Sequence, residues 1–433
     1  MVTAALESPV ISGQRLSSVV PAKVTGENKD FELTNMDLAM KLHYIKGVYF
    51  FPSEAIRGLS IHDLKEPMFR LLELYFTASG RIRRSSETGR PFIKCNDGGV
   101  RIVEAQCENL TIDEWLATSF HSLDHLLAHD QVLGPDLGFS PLVFLQFTWF
   151  KCGGISIGLS WAHILGDAFS ASAFINLWGQ IMSGQVPSKS LKLHKSEFPT
   201  SFSGKPFSLK KVDPVGDHWL TANNCNMQTQ TFHVTADQLH HIVSNTHDPS
   251  QTANNFSHFH ILSAMIWQSL SKIRGDSGPR IVTICSNTNP ADRENQMPSN
   301  GMMLTTVEAD FSVSKGEIAE LAKLIAEKRV PENGLIEKLF DGDDQQGSDF
   351  IVYGANLTFV DLEEADLYGL EIKGKKPIFV NYTINGVADE GTVLIQSGPK
   401  IEGGNGKILT ITLPEDQIEM LKNILENDWN IAN

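Results

Sequence analysis

Residues 159–174 read LSWAHILGDAFSASAF and place His163 four positions before Asp167, with no other ionisable side chain in the stretch. Before it, PLVFLQFTWF and GGISIGLS are rich in β-branched and aromatic residues, which predicts two paired strands. From Phe169 onwards the apolar residues recur at helical spacing. The stretch therefore predicts a strand, a turn that carries His163 and Asp167, and a helix.

The turn is a candidate catalytic feature. Asp167 suits the N-cap position of the helix, where a carboxylate accepts backbone N–H groups. An imidazole at a strand end has a pKa near neutrality and can take a proton from an attacking hydroxyl or amine, which is worth roughly 10²–10⁴ in rate. The spacing alone does not distinguish this role for His163 from that of a hydrogen-bonded interior histidine, so both interpretations stay open at this point.

Length and composition limit the class of protein. The 433 residues exceed one ordinary core and predict two domains. An apolar content of 41% and a charged content of 20% are typical of a globular chain. The 36 basic and 51 acidic side chains leave a net charge of −15, which argues against nucleic acid or an anionic membrane as the main partner.

The cysteines and the apolar runs indicate the compartment. The five cysteines are odd in number and widely spaced, which fits a reducing compartment. The N-terminus lacks the basic and apolar blocks of a signal peptide. The uncharged runs 137–150 and 152–166 fall short of the roughly 20 residues that a membrane span needs. We therefore expect any contact with a membrane to be peripheral.

The chain is predicted to divide into two α/β domains. Strand-like and helix-like segments are mixed in both halves, whereas Ser, Lys, Pro and Gly dominate between residues 183 and 217. We predict an N-terminal domain over 1–190, a linker or crossover over 191–217 and a C-terminal domain over 218–433. A cleft between the two domains is the natural ligand site.

Three other patterns have some of the features of binding sites. His121, His125 and His129 have the spacing of a helix face, but no further ligand converges on them, so we predict a solvated face and no metal site. The loop from Asp341 lacks the glycine and glutamate of a calcium loop. The glycines at 403–406 lack a following helix and predict a hairpin turn.

Several segments resemble the BAHD family of plant acyl-CoA-dependent acyltransferases in the same order along the chain: LELYFTASGRIR, IKCNDGGVRIVEA, PLVFLQFTWFKCGG and SWAHILGDAFSASAFINLW. The resemblance implies an α/β fold of two chloramphenicol-acetyltransferase-like domains, each of mixed β-sheet and helices, with an interface channel. It implies that His163 is the general base for an alcohol or amine that attacks an acyl-CoA thioester, and that Asp167 supports the turn structurally. Acyl-CoA would be a substrate or ligand, with no bound cofactor and no metal.

The chain departs from the family pattern at three places. Ala168 stands where the family has glycine. The second family motif, D-F-G-W-G, is replaced by ADLYGLEIKGKKPIF, which keeps Asp366 and Pro377. The arginine that pairs with the aspartate of the first motif is missing at the matching position, and Arg293 is a candidate substitute. Without such a substitute, backbone N–H groups must satisfy Asp167.

Phrases such as LSSVVPA, MDLAMKLHYIKGVYFF, GLSWAHILGD and YGANLTFV resemble the eceriferum/glossy branch of the family. That branch implies a role in lengthening very-long-chain fatty acyl-CoAs for cuticular wax, at the cytosolic face of the endoplasmic reticulum. The partner would be a membrane-bound β-ketoacyl-CoA synthase, and we expect a monomer apart from that partner. Two alternatives stay open: an active acyl-CoA-dependent O- or N-acyltransferase with His163 as base, and a structural pseudoenzyme without ligand.

Overall fold

The computed structural model describes residues 10–26, 29–117, 124–130, 133–185, 191–192, 204–220, 223–246, 256–287, 296–341, 348–401 and 404–431. Its strands, numbered in chain order, are β1 Ser12–Val19, β2 Asp30–Glu32, β3 Tyr44–Phe51, β4 Arg81–Arg84, β5 Pro91–Lys94, β6 Val100–Cys107, β7 Val143–Phe150, β8 Ile155–Ala162, β9 Lys210–Val212, β10 Met227–Val234, β11 Ile281–Ser286, β12 Met303–Glu308, β13 Val330–Pro331, β14 Asp349–Ile351, β15 Leu357–Leu362, β16 Phe379–Asn385, β17 Thr392–Ile401 and β18 Gly404–Pro414. Its α-helices are α1 Asn35–Ala39, α2 Ser53–Ile56, α3 Ile61–Leu74, α4 Ile112–Ala117, α5 Ala168–Met182, α6 Ala236–Thr246, α7 His258–Arg274, α8 Ile318–Glu327, α9 Asn333–Asp341 and α10 Glu415–Trp429.

The first large sheet has the order β1-β6-β7-β8-β3-β16. The predicted pair of strands before His163 is confirmed, because β7 and β8 lie antiparallel with Val143 opposite Trp161. The far edge comes from the second half of the chain: β16 pairs antiparallel with β3, from Phe379 opposite Phe50 to Asn385 opposite Tyr44. This pairing places the two halves of the chain side by side at the end of β8.

The second large sheet has the order β10-β18-β17-β15-β11-β12-β13. Its central strand β15 runs parallel to both β11 and β17. The hairpin predicted around residues 403–406 is confirmed by the antiparallel pairing of β17 with β18. Strand β16 contacts β17 and β18, so the two sheets meet along this strand.

Helices cover the two sheets and form a core with each. Helix α3 begins with a capping box of Ser60 and Asp63, and its apolar face packs against α5. Helix α7 begins with a similar box at Ser257 and packs on α8 in the second core. The final helix α10 follows β18 directly, and Pro414 is both the last residue of β18 and the N-cap of α10.

Of the predicted linker at 191–217, residues 193–203 lie outside the described residues. Its described part contains β9, which pairs antiparallel with β14 of the second half. Nearby, the buried carboxylate of Glu332 accepts from the backbone N–H groups of Phe207 at 3.0 Å and Ser208 at 2.7 Å. These bonds attach the segment to the second half of the chain, and the domain boundaries themselves stay a prediction.

Within the described ranges, no helix combines the length and the apolar character needed to cross a bilayer. The segment that carries the predicted histidine face is described only from Asp124 onwards, so His121 lies outside it. Residues 124–126 form a short 3₁₀ turn rather than an α-helix. His129 stacks on Phe144 with ring centroids 4.5 Å apart. The described histidines therefore do not form the predicted helical stripe.

Candidate functional site

The turn between β8 and α5 has the predicted form. Strand β8 ends at Ala162, residues His163–Leu165 make one 3₁₀ turn, and α5 begins at Ala168. Gly166 has φ +153°, and a Cβ at this position would lie 2.8 Å from the backbone nitrogen of Ser299. Glycine is required here because a side chain would push away the segment around Ser299.

Asp167 is the N-cap of α5 and also binds a segment from the second half of the chain. Its Oδ1 accepts from the backbone N–H of Ser170 at 3.2 Å, and its Oδ2 accepts from that of Gly301 at 3.1 Å. The Asp167 N–H donates to the carbonyl of Ser299 at 3.2 Å. The carboxylate therefore holds residues 299–301 against the helix start. Arg293, the candidate partner of Asp167, lies outside the described residues.

The segment held by Asp167 places Asn300 beside His163. The Asn300 amide nitrogen donates to the His163 carbonyl at 2.9 Å and to Asp37 Oδ1 at 2.8 Å. Its Oδ1 lies 2.9 Å from His163 Nδ1. Since both amide protons have acceptors, the amide oxygen is fixed toward the imidazole. Asp37 is itself buried and forms a capping box with Thr34 at the start of α1.

The other ring nitrogen of His163 faces Tyr353. His163 Nε2 lies 3.0 Å from the Tyr353 hydroxyl, and each of the two residues is only 1% exposed. Because Asn300 Oδ1 can only accept, the proton of the neutral ring lies on Nδ1, and Nε2 accepts from the tyrosine O–H. Both nitrogens of the imidazole are thus bonded to side chains from the second half of the chain.

Burial sets the protonation of this group. It lowers the pKa of His163 against the opposing effects of its own backbone, Asp167 and Asn300. It also raises the pKa of Tyr353 well above its ordinary value, so the phenol keeps its proton. A neutral imidazole therefore accepts a hydrogen bond from a neutral phenol at physiological pH.

His43 completes the site behind Tyr353. Its carbonyl accepts from the His163 N–H at 3.1 Å, and its Nε2 accepts from the backbone N–H of Val352 at 3.1 Å. The ring meets Tyr353 edge to face with centroids 4.9 Å apart. Burial, and then the neighbouring His163, lower the pKa of His43 to about 3, so this ring is also neutral. His43 therefore fixes the backbone from which Tyr353 extends.

The altered second motif packs against the same helix as Asp167. The Asn176 amide nitrogen of α5 donates to the Asp366 carbonyl at 2.7 Å and lies 3.3 Å from Asp366 Oδ2. A Cβ at Gly369 would lie 2.0 Å from this carboxylate. The retained aspartate thus attaches the loop before β16 to α5, and it does not reach His163.

A cavity of about 680 Å³ opens between the two large sheets. His163 does not line it. Leu42, the residue before His43, lines the cavity together with Gly386. The lining residues are Leu42, Tyr44, Lys46, Asp124, His125, Asp130, Leu220, Asn223, Met227, Gln228, Thr229, Thr383, Ile384, Asn385, Gly386, Val387 and Thr412.

The sequence pattern singled out His163 and Asp167 and missed four residues that surround them: Asp37, His43, Asn300 and Tyr353. The T-N-M-D capping-box pattern at 34–37 is a local signal for Asp37. No local signal marks Asn300 or Tyr353, which are 137 and 190 residues from His163. Among the described residues, no group of three or more His, Cys, Asp or Glu side chains is arranged to hold a metal ion.

The fold and this turn define the class of the protein. Residues 11–288 match the sequence profile of the Transferase family, and the chain belongs to that family. Among curated proteins it is 44% identical to Protein ECERIFERUM 2 of Arabidopsis thaliana, over 98% of this chain and 99% of that protein. It is 39% identical to Protein ECERIFERUM 26 of the same plant, over 94% of each chain. These relatives confirm the predicted resemblance of the chain to the eceriferum branch of the BAHD family.

Solved structures confirm the predicted chloramphenicol-acetyltransferase-like fold. Vinorine synthase superposes with a TM-score of 0.70 at 16% identity, covering 95% of this chain and 96% of that one. The F. graminearum protein TRI101, complexed with coenzyme A and deoxynivalenol, superposes with a TM-score of 0.69 at 16% identity, covering 93% and 98%. At this identity the likeness concerns the fold.

Proposed function

We propose that the chain acts in the lengthening of very-long-chain fatty acyl-CoAs for cuticular wax, as a partner of a β-ketoacyl-CoA synthase. In this role His163 does not act as a base. The near full-length similarity to ECERIFERUM 2 and ECERIFERUM 26 supports the pathway. The hydrogen bond between His163 Nε2 and the Tyr353 hydroxyl is the observation that supports a role in which His163 is not a base.

A general base needs a free lone pair, with the base atom about 2.6–3.2 Å from the heavy atom whose proton it removes. The Tyr353 hydroxyl occupies that position, 3.0 Å from Nε2. To admit a substrate hydroxyl or amine, Tyr353 would have to leave and give up its buried bond, which costs on the order of 1–3 kcal/mol. The turn therefore keeps the form of a transferase site while its base is engaged by the protein itself.

Acyl-CoA is the ligand that we propose for the chain. The TRI101 structure with coenzyme A shares the fold, and the BAHD resemblance implies the same class of ligand. We propose that the chain receives or guides the long acyl chain while the synthase carries out the condensation. No bound cofactor and no metal enter this role.

The proposed location is the cytosolic face of the endoplasmic reticulum, with the chain bound peripherally. The net charge of −15 disfavours direct attraction to an anionic leaflet. We therefore propose that the membrane-bound synthase, rather than lipid, recruits the chain to the membrane.

Two measurements test the proposal. First, the purified chain is passed over immobilised, detergent-solubilised synthase, with the empty detergent surface as control, and saturable binding is expected. Second, the chain and the synthase are expressed together, and the fatty acyl products are compared in length with those of the synthase alone. Absence of both complex formation and longer products would overturn the proposed partnership.

The alternative is an active acyltransferase with His163 as base. It is favoured by one observation: the ring tautomer leaves the lone pair on Nε2, as such a base requires. The test is release of free coenzyme A thiol from acyl-CoA in the presence of alcohols or amines. Turnover that falls by at least about 10² in His163→Gln would establish this alternative and remove our proposal.

A further inference from the structure

The cavity between the two sheets contains a buried ammonium group. Lys46 is the third residue of β3. Its side chain is only 4% exposed, and its Nζ contacts the carboxylate of Asp130. Lysine is almost never fully buried unless it is paired. The partner differs in environment, because the side chain of Asp130 is 68% exposed. A ligand in the cavity can therefore replace Asp130, whose carboxylate is already largely in water.

Lys46 brings hydrogen-bond donors to the cavity. An ammonium has three N–H donors, and among the described residues only Asp130 accepts from Lys46. The other buried carboxylate, Asp124, already accepts from Trp115 Nε1 at 2.9 Å and from Asn381 Nδ2 at 3.1 Å. The remaining N–H donors of Lys46 therefore suit a ligand with acceptor oxygens.

The lining combines polar and apolar residues. Lys46 lies opposite Thr383 in the β3–β16 pair, and two residues further along Tyr44 lies opposite Asn385. Leu42, Val387, Leu220 and Met227 add apolar surface to the lining. A volume of about 680 Å³ is within the range of small-molecule sites. The cavity thus has the form of a site for an amphiphile.

We propose that this cavity binds an amphiphile with a single carboxylate. Its oxygens replace Asp130 on the Lys46 ammonium, and its apolar chain lies along the wall from Leu42 to Met227. A doubly charged phosphate fits less well, because one lysine faces it while Asp124 and Asp130 repel it. The site is separate from His163, and binding there involves no covalent step. This inference stands independently of the proposed partnership, because it concerns the chain alone.

Calorimetric titration of the purified full chain tests the ligand class. The probes are dodecanoate, dodecanol, dodecylamine and dodecyl phosphate, each below its micelle concentration. Dodecanoate is expected to bind most tightly, by about tenfold over dodecanol, since a charge-assisted hydrogen bond is added. Absence of dodecanoate binding, or tighter binding of the amine or the phosphate, would overturn the proposal.

Two variants test the residue that holds the carboxylate. Lys46→Met should weaken dodecanoate binding about tenfold or more and leave dodecanol unchanged. It leaves Asp130 exposed to water, so the fold is expected to persist. Asp130→Asn, which removes the competing carboxylate, should strengthen dodecanoate binding. The matched control is Lys65→Met, which breaks the ion pair of Lys65 with Glu104 at 2.7 Å and should change nothing. Equal dodecanoate affinity in all four proteins would refute the role of Lys46.

Discussion

The Tyr353 hydroxyl donates a hydrogen bond to His163 Nε2 over 3.0 Å, at the ring nitrogen that carries the lone pair. The two residues are 190 positions apart and come from opposite halves of the chain. His163 is therefore a buried histidine whose two ring nitrogens are both hydrogen-bonded to side chains of the same chain. This relationship leads to predictions about stability, pH and activity.

Removing the Tyr353 hydroxyl tests its hydrogen bond to His163. Tyr353→Phe should lower the free energy of unfolding by about 1–2 kcal/mol, because Nε2 of the buried imidazole loses its donor. Urea denaturation measures the loss. Tyr75→Phe, at a buried tyrosine that packs on Phe174, is the matched control and should cost less. Equal losses of unfolding free energy in the two variants would show that the hydrogen bond to His163 does not stabilise the fold.

Asn300 is hydrogen-bonded to both Asp37 and His163. Its removal should therefore lower the free energy of unfolding more than Tyr353→Phe does. Asn300→Ala leaves the buried Asp37 carboxylate without one of its donors and His163 Nδ1–H without its acceptor. We expect a loss of about 2–4 kcal/mol. The double variant Asp37→Ala/Asn300→Ala should lose less than the sum of the single variants, because the two side chains interact directly. Strict additivity in this double-mutant cycle would contradict the contact.

Asp167 should stabilise the turn through two elements at once. Asp167→Ala removes the cap of α5 and the acceptor for the Gly301 N–H, so we expect a loss of about 2–3 kcal/mol. Ser257→Ala, which removes only the cap of α7, is the comparison and should cost about 1 kcal/mol. A similar small loss in both variants would show that Asp167 acts only as a cap.

His43 should make stability depend on pH. The unfolded chain protonates this imidazole near pH 6.5, whereas burial lowers its pKa to about 3 in the folded chain. Its contribution to stability is therefore complete above pH 6.5 and is lost as the pH falls from 6.5 toward 3. Between pH 6 and 4, His43→Gln should remove a slope of about 1.4 kcal/mol per pH unit. Urea unfolding at several pH values gives both slopes, and identical slopes would show that His43 is not buried as a neutral ring.

The elements around His163 could be predicted from sequence because their signals are local. The strands β7 and β8 and the helix α5 follow from residue type and spacing, and Asp167 at the N-cap follows from the chemistry of helix starts. The family resemblance added the arrangement of the two halves, which no local pattern contains.

The partners of His163 could not be predicted in this way. Asn300 reaches the ring because Asp167 and Ser170 hold the segment 299–301, and that contact forms only when the halves pack together. The pairing of β16 with β3 joins residues that are more than 300 positions apart, such as Phe379 and Phe50. Periodicity can show that both segments are strands, but it cannot show that they are neighbours.

The most direct test of the central claim is the length of the fatty acyl products made when His163→Gln is expressed together with the β-ketoacyl-CoA synthase. We expect that the variant still shifts the products to longer chains, as the unaltered chain does, when both are present in equal amounts as folded protein. Loss of the longer products from a folded and equally abundant variant would contradict it, and would show that the imidazole of His163 is used in the reaction.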